Sequence, residues 1–368
     1  MKKILYIGGF EMPDKNAAAQ RVLSIAKALR EAGYDTQFYG ITQSGDTKGE
    51  VDDFHYEAYP HPNGTKAWFK YALGHGVINY IRQNAPDYVF LYNYPAIAQE
   101  RVIRYCRKRG IRTVGDITEW YRPTSLPKRI DTYFRMRISN RHLDGIIAIS
   151  RYLANYYKGN KLIQLPPLVD KKEEKWNITP AERQDEKIHL VYIGTGSIKD
   201  RLDKIIMGIM QSGADKYHLD VIGITEQQYE KIYLQEVNFS NLDIVFHGRL
   251  PHREALKYLM GADFQIFFRD FIRVNNAGFP TKFVESMSAG VPVITNRISN
   301  IDDYVRNGKN SFMIDHPEEG EICEVLKHVS TLSRDEIENI KSKCLKEEFD
   351  YRKYVKQLEM FMEGLNNR

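Results

Sequence analysis

A lysine and a glutamate one helical turn apart, Lys282 and Glu285, lie in a segment whose punctuation describes a short helix. Asn275, Asn276, Ala277, Gly278, Phe279, Pro280 and Thr281 precede them, and Gly290, Val291 and Pro292 follow. Pro280 suits the first helical position, where its missing N–H would be an orphan in any case. Gly290 suits the position just past the helix, and Pro292 blocks continuation, so a buried strand is expected from near Pro292. The residues before Pro280 read as a glycine-containing loop. A helix starting there points free N–H groups back at that loop, which is a site for phosphate oxygens. Lys282 in the first turn opposes the helix dipole at a cost of about 0.3–1 kcal/mol, a penalty that a bound anion reverses. Glu285 could accept hydrogen bonds from a vicinal diol such as a ribose. The same residues also fit a capped surface helix carrying a Lys282–Glu285 pair at i,i+3.

Other groups of the same chemistry stand at strand ends. After an apolar run at 188–194 come Gly194, Thr195, Gly196 and Ser197, then Lys199 and Arg201. Glycines let backbone approach a phosphate, and a nearby cation neutralises developing charge, although a plain strand–helix turn uses the same residues. Arg249 closes Phe246-His247-Gly248-Arg249, and Arg269 ends another apolar run. Each could reach a phosphate or simply face solvent. Toward the amino terminus, Gly8 and Gly9 follow the first strand, and Asn16 to Arg21 opens the first helix. Small residues there admit a ligand or allow tight helix packing, and Asn16 and Arg21 are candidate acceptor contacts. Asp116 and Glu119 lie at a fourth strand end, suited to accepting a proton or holding sugar hydroxyls. Asp116 alternatively serves as a helix cap or turn residue.

These groups need a scaffold that brings strand ends together. Short β-branched runs alternate with helical patterns: strands over 3–8, 35–40, 88–92, 113–116 and 145–150, and a helix over 17–32 stopped by Gly33. Such alternation argues for an α/β fold with a parallel sheet covered on both faces. Leu165-Pro166-Pro167-Leu168 reads as a domain junction with a charged exit over 171–187. The pattern then restarts, with strands over 188–194, 218–222, 244–248, 264–268, 291–295 and 311–314 and helices over 201–210 and 253–260. An amphipathic helix is expected over 349–365. Ligands of such sheets gather at the carboxyl ends of the strands.

At 368 residues the chain is comfortable for two domains. With 42% hydrophobic and 27% charged residues, it has the composition of a globular protein. No apolar run approaches the roughly 18–20 residues of a membrane span, and the amino terminus reads as a strand rather than a signal peptide. Three scattered cysteines (Cys106, Cys323, Cys344) suggest a reducing, cytoplasmic setting without a metal cluster. The net charge of +5 is unevenly placed, since residues 101–141 carry twelve Lys/Arg against three Asp/Glu. With Tyr105, Trp120, Tyr121, Tyr133 and Phe134 interleaved, that stretch fits an anionic partner (phospholipid headgroups, a lipid diphosphate or nucleic acid), or else a solvated helical face.

The run Gly278-Phe279-Pro280-Thr281-Lys282-Phe283-Val284-Glu285-Ser286-Met287-Ser288-Ala289-Gly290-Val291-Pro292-Val293-Ile294 resembles the donor-site signature of family 4 glycosyltransferases. The resemblance implies a GT-B fold, two Rossmann-like doubly wound domains facing a central cleft. It implies an acceptor-binding domain over 1–168, a nucleotide-sugar domain over 169–348, and a helix over 349–368 crossing back to the first domain. It further implies a retaining, metal-independent glycosyltransferase of cell-surface polysaccharide synthesis with no cofactor. The donor would be a nucleotide-diphosphate sugar, with UDP-sugar favoured, and the acceptor a saccharide or lipid-linked saccharide, at the cytoplasmic face of the membrane and with no nucleic-acid partner. Glu285 falls on the family's ribose-binding glutamate. Gly9, Gly194, Thr195, Gly196, Arg201, Arg249, Arg269, Gly278, Phe279, Pro280 and Thr281 fall in donor-binding segments. Asp116, Glu119, Lys199 and Lys282 are the candidate catalytic groups. The chain departs from the pattern at Ala277 for the first family glutamate, Thr195 for an arginine, Asp200 for a lysine and Gly115 for a histidine. Those departures sustain an alternative, a catalytically impaired GT-B protein acting as a binding or regulatory subunit. An epimerase and a nucleic-acid binder fit the signature less well.

Overall fold

The computed structural model describes every residue except 14–15, 44–46, 183–184, 235–238 and 367–368. It divides into two units. Unit 1 comprises Met1–Val169, Ala277–Phe279 and Asp350–Arg368, and unit 2 comprises Asp170–Asn276 and Pro280–Phe349.

Unit 1 is built on eight strands: β1 (Lys2–Gly8), β2 (Tyr34–Thr42), β3 (Lys48–Val51), β4 (Phe54–Pro60), β5 (Tyr88–Tyr92), β6 (Arg112–Ile117), β7 (Gly145–Ala148) and β8 (Leu162–Gln164). Their order is β3-β4-β2-β1-β5-β6-β7-β8, all parallel except the β3–β4 pair. Central strands are buried on both faces, which is why β1 and β5 read as continuous apolar runs. The chain order reverses between β1 and β5, so their carboxyl ends flank the switch point of the sheet. The helix Val355–Asn366 buries Leu358, Phe361, Met362 and Leu365, an i, i+3, i+4, i+7 stripe, into the same core as β1.

The β3–β4 hairpin and β8 are absent from the sequence expectation. The hairpin turns on Asp52 and Asp53, both in the left-handed region (φ 48° and 62°), so two aspartates do what Asn-Gly or Asp-Gly usually signals. Strand β8 has only three residues.

Unit 2 contains β9 (Ile188–Ile193), β10 (Tyr217–Ile222), β11 (Ile244–Gly248), β12 (Phe264–Ile266), β13 (Val293–Asn296) and β14 (Phe312–Ile314). All pair in parallel in the order β11-β10-β9-β12-β13-β14, a doubly wound sheet whose order reverses between β9 and β12. Two expectations need correction here. The stretch before Pro280 is a one-turn helix, Arg273–Ala277, rather than a loop. Pro280 itself is the cap and not the first residue of the helix Thr281–Ala289, with Gly290 closing it in the left-handed region (φ 79°).

Candidate functional site

The carboxyl ends of β9 and β12 bring together the groups that the sequence scatters over 90 residues. The loop after β9 passes through Gly194 and a short turn, Ile198–Asp200, and places Asp200 inward, 5% exposed. Arg269, just past β12, donates from Nε to Asp200 Oδ1 at 2.9 Å, and Lys282 donates from Nζ to Asp200 Oδ2 at 2.5 Å. Asn296, the last residue of β13, clamps Arg269 by accepting from its N–H and donating to its C=O. Lys282 lies over the Tyr192 ring, 4.5 Å from its centroid. A Cβ on Gly194 would collide with Lys282 Nζ, so that glycine is what lets the ammonium rest against backbone.

This trio carries two cations on one carboxylate. Burial pushes the Asp200 carboxyl up, but the Lys282 and then the Arg269 charges outweigh it and hold the group down at about 2. Burial is the largest influence on Lys282 and, with the Arg269 and Lys199 charges, drives its ammonium down to about 8 against the opposing pull of Asp200. The two shifts agree. With two cations on one buried carboxylate, the lysine is the member of the trio whose proton is most loosely held. The trio is an arrangement short of one anion, at the start of a helix whose first N–H groups also want one.

Glu285, one turn deeper, is 26% exposed and accepts from or shares a proton with His252 Nε2 at 2.5 Å. Thr281 is exposed, and Pro280 is buried. Thr195 and Lys199 are exposed, whereas Gly196 is buried in the left-handed region (φ 63°) against Ile224. Arg249 is exposed just beyond β11. Gly278 and Phe279 are buried and group with unit 1, as does Ala277, whose carbonyl accepts from Ser150 Oγ at 2.7 Å. Ala277 is 0% exposed, so a glutamate would not fit its place without rearrangement.

Several expected roles are corrected. Asp116 is 0% exposed, and its oxygens accept from Tyr6 OH at 2.6 Å and from Arg21 Nη2 at 2.8 Å and Nε at 3.0 Å. It is a buried ion-pair member and cannot serve as a catalytic base. Arg21, 4% exposed, spends its remaining donors on the Leu165 and Pro166 carbonyls, so it ties the end of unit 1 together and does not face an acceptor. Asn16 caps the helix Ala17–Glu31 by accepting from Ala19 N–H. Arg201 is neutralised by Asp203 (2.8 Å) and Asp270 (3.0 Å), whereas Arg269 and Lys282 share the single carboxylate of Asp200. Gly9 is exposed past β1, and Glu119 is half-buried beyond β6. Gly115 lies within β6, where an added Cβ would meet the Leu143 side chain.

Sequence reasoning missed Asp200 and His252. Asp200 was visible only as an acid where a lysine was expected. The signal was the compensation: a lysine lost after β9 and a lysine present at 282.

The carboxyl end of the unit 1 sheet holds a 370 Å³ pocket that includes Gly9, Tyr92 and Asn93, again at a switch point. Among the described residues no group of His, Cys, Asp and Glu is arranged to hold a metal ion, and no helix is long and apolar enough to cross a membrane.

The sequence model of the Glycosyl transferases group 1 matches residues 170–343, and that of Glycosyltransferase Family 4 matches residues 18–170. Sucrose-phosphate synthase from Thermosynechococcus elongatus superposes with a TM-score of 0.76 at 12% identity, covering 100% of this chain and 99% of that one. HepE from Anabaena, in complex with UDP and glucose, gives 0.70 at 14% identity, covering 99% and 100%. The catalytic domain of starch synthase IV from Arabidopsis thaliana, bound to ADP and acarbose, gives 0.76 at 11% identity with both chains fully covered. A Klebsiella pneumoniae protein described as an uncharacterized 41.2 kDa protein in the cps region is 22% identical over 146 residues, 39% of this chain and 37% of that one. The match thus spans little more than a third of that relative's length.

Proposed function

This chain belongs to the glycosyltransferases of GT-B fold, and from that premise we propose that unit 2 binds a nucleoside-diphosphate sugar whose diphosphate supplies the charge that Asp200, Arg269 and Lys282 lack. The observation that carries the reading is the surplus buried cation at the β9–β12 switch point. In the proposed step the bond from the anomeric carbon to the diphosphate oxygen breaks, and a bond from that carbon to an acceptor hydroxyl oxygen forms. The hydroxyl proton passes to the departing diphosphate, because Asp116 is already occupied. Lys282 and Arg269 act most strongly on the charge that develops as the diphosphate leaves, which favours the transition state over the bound donor. Glu285 holds the ribose in place of His252. Retention of configuration, independence of metal and a uridine base are part of the proposal by resemblance to the family.

The acceptor is proposed to be a saccharide of cell-surface polysaccharide synthesis carried on a lipid. The helix Leu126–Arg137 turns Leu126, Ile130, Tyr133 and Phe134 outward, all 47–64% exposed. Arg129 and Arg137 stand beside them, and such a face suits an anionic lipid surface. Flotation with phosphatidylglycerol liposomes at low salt checks this part.

The donor reading is tested by a thermal-shift panel of nucleoside diphosphates. One that binds at a hundred times its Kd stabilises by about 2.7 kcal/mol, a rise of about 5–10 °C for a unit of this size. No response to any of them would overturn the reading. Hydrolysis of the bound sugar nucleotide then separates a working transferase from a binding subunit, the alternative that Thr195 and Ala277 keep in view.

A further inference from the structure

The unit 1 pocket contains a charged group that the protein leaves half-served. Arg135 is 5% exposed and forms part of the wall. Its Nη1 donates to the Asn93 carbonyl at 2.8 Å, just beyond β5. Its Nε and Nη2 are buried without any hydrogen-bond partner. Those two nitrogens form one edge of the guanidinium, the fork that pairs with two oxygens of a carboxylate or phosphate. Asp131, whose carboxyl feels the Arg135 charge, does not hydrogen-bond to that edge. Asp131 Oδ1 is held by Ala96 N–H at 2.8 Å, and no hydrogen bond joins Asp131 to Arg135 among the described residues. Lys128 and Arg122 also line the pocket, so its charges are three cations to one carboxylate. The guanidinium lies over the Tyr121 ring, 5.1 Å from its centroid, but that contact gives the fork no acceptor, and a buried charged fork without one is costly.

The rest of the wall indicates what carries the anion. Trp68, Tyr71 and Tyr121 contribute aromatic side chains to the lining, and the volume of 370 Å³ falls in the range of small-molecule sites. Resting on the reading of the chain as a glycosyltransferase, we propose that this pocket is the acceptor site and that Arg135 selects an acceptor bearing an anionic group, a phosphate or a carboxylate, next to its sugar ring. The anion comes from a lipid diphosphate or from an acidic sugar, and the two are separable.

The test is equilibrium binding to the full chain of glucuronic acid, glucose 1-phosphate, farnesyl diphosphate in neutral micelles, and methyl glucoside. At least one charged probe should bind ten-fold or more tighter than methyl glucoside. Arg135→Lys, which keeps the charge and loses the fork, should weaken that probe roughly ten-fold or more. Lys128→Ala, at an exposed wall position tolerant of change, should weaken it about three-fold at low salt. Preference for farnesyl diphosphate assigns the anion to a lipid carrier, and preference for the other two assigns it to the sugar. UDP binding, which reports on unit 2, should be the same in every variant. Equal binding of charged and neutral probes, or charged-probe affinity indifferent to both substitutions while UDP still binds, overturns the pocket proposal. Loss of UDP binding by the unaltered chain instead overturns the donor reading on which it rests.

Discussion

Replacing Lys282 by methionine should stabilise the ligand-free protein and cripple donor binding, a combination that an ordinary structural ion pair would not give. The ammonium is held at about 8 against an ordinary 10.5, so at pH 7 its charge is carried at a penalty of about 3 kcal/mol. Methionine fills similar volume without charge, and Arg269 still pairs with Asp200. Subtracting about 1 kcal/mol for the lost hydrogen bond to Asp200 leaves a gain of about 2 kcal/mol. For a unit of this size, that is a rise in Tm of roughly 4–8 °C. The sign follows from linkage. Between pH 8 and 10.5 the unfolded chain holds a proton on Lys282 that the folded one has released, so wild-type stability climbs across that window. The gap between variant and wild type should therefore be widest below pH 8 and close as pH approaches 10.5. Differential scanning calorimetry of both proteins at pH 7 and 9.5, with and without UDP, reads all of this. UDP should bind the variant at least ten-fold more weakly. If the variant instead lost 3–5 kcal/mol, as a broken buried pair does, and bound UDP normally, the ion pair would be structural and the reasoning refuted.

The remaining expectations concern other groups. Affinity for a UDP-sugar should fall as pH rises above about 8 and Lys282 loses its proton, which titration calorimetry from pH 6.5 to 9.5 would show. Wild-type protein should prefer UDP over 2′,3′-dideoxy-UDP by roughly ten-fold or more, and Glu285→Ala should bind the two alike. Asp116→Asn breaks the buried pair with Arg21 and should lower the Tm of unit 1 by roughly 6–20 °C, with any lost turnover returning when the assay is cooled. His218 is raised to about 9 by its hydrogen bond to Asp220 and by Asp243, which together outweigh burial. Its stabilisation is complete below its ordinary 6.5 and is lost as pH rises through 9, so His218→Gln should narrow the fall in Tm between pH 6.5 and 9.5.

The fold was written in the sequence wherever burial on both faces enforced a continuous apolar run. Strands β5 and β11 fall on the expected residues, and the doubly wound pattern of both halves follows from such runs. Short or edge elements were hidden, because three residues of β8 or a turn of two aspartates carry too little pattern to stand out. At the candidate site the local signals were legible: the helix closed by Gly290, Lys282 in its first turn, and Glu285 behind it. What could not be read was which charges meet. Asp200 and Lys282 are 82 positions apart in the chain, and only the parallel pairing of β9 with β12 brings their supports together. For the same reason Asp116 looked like a free carboxylate at a strand end, when Arg21, 95 positions away, holds it in the core. Arg135 gave no local signal at all, since an arginine in a basic helix looks like its exposed neighbours until burial singles it out.

A crystal structure of the protein with UDP tests the central claim most directly. The account requires the diphosphate oxygens within hydrogen-bonding distance of Lys282 Nζ and the first N–H groups of the helix Thr281–Ala289, with both ribose hydroxyls on Glu285. A nucleotide seated anywhere else, with Lys282 still closed on Asp200, would contradict it.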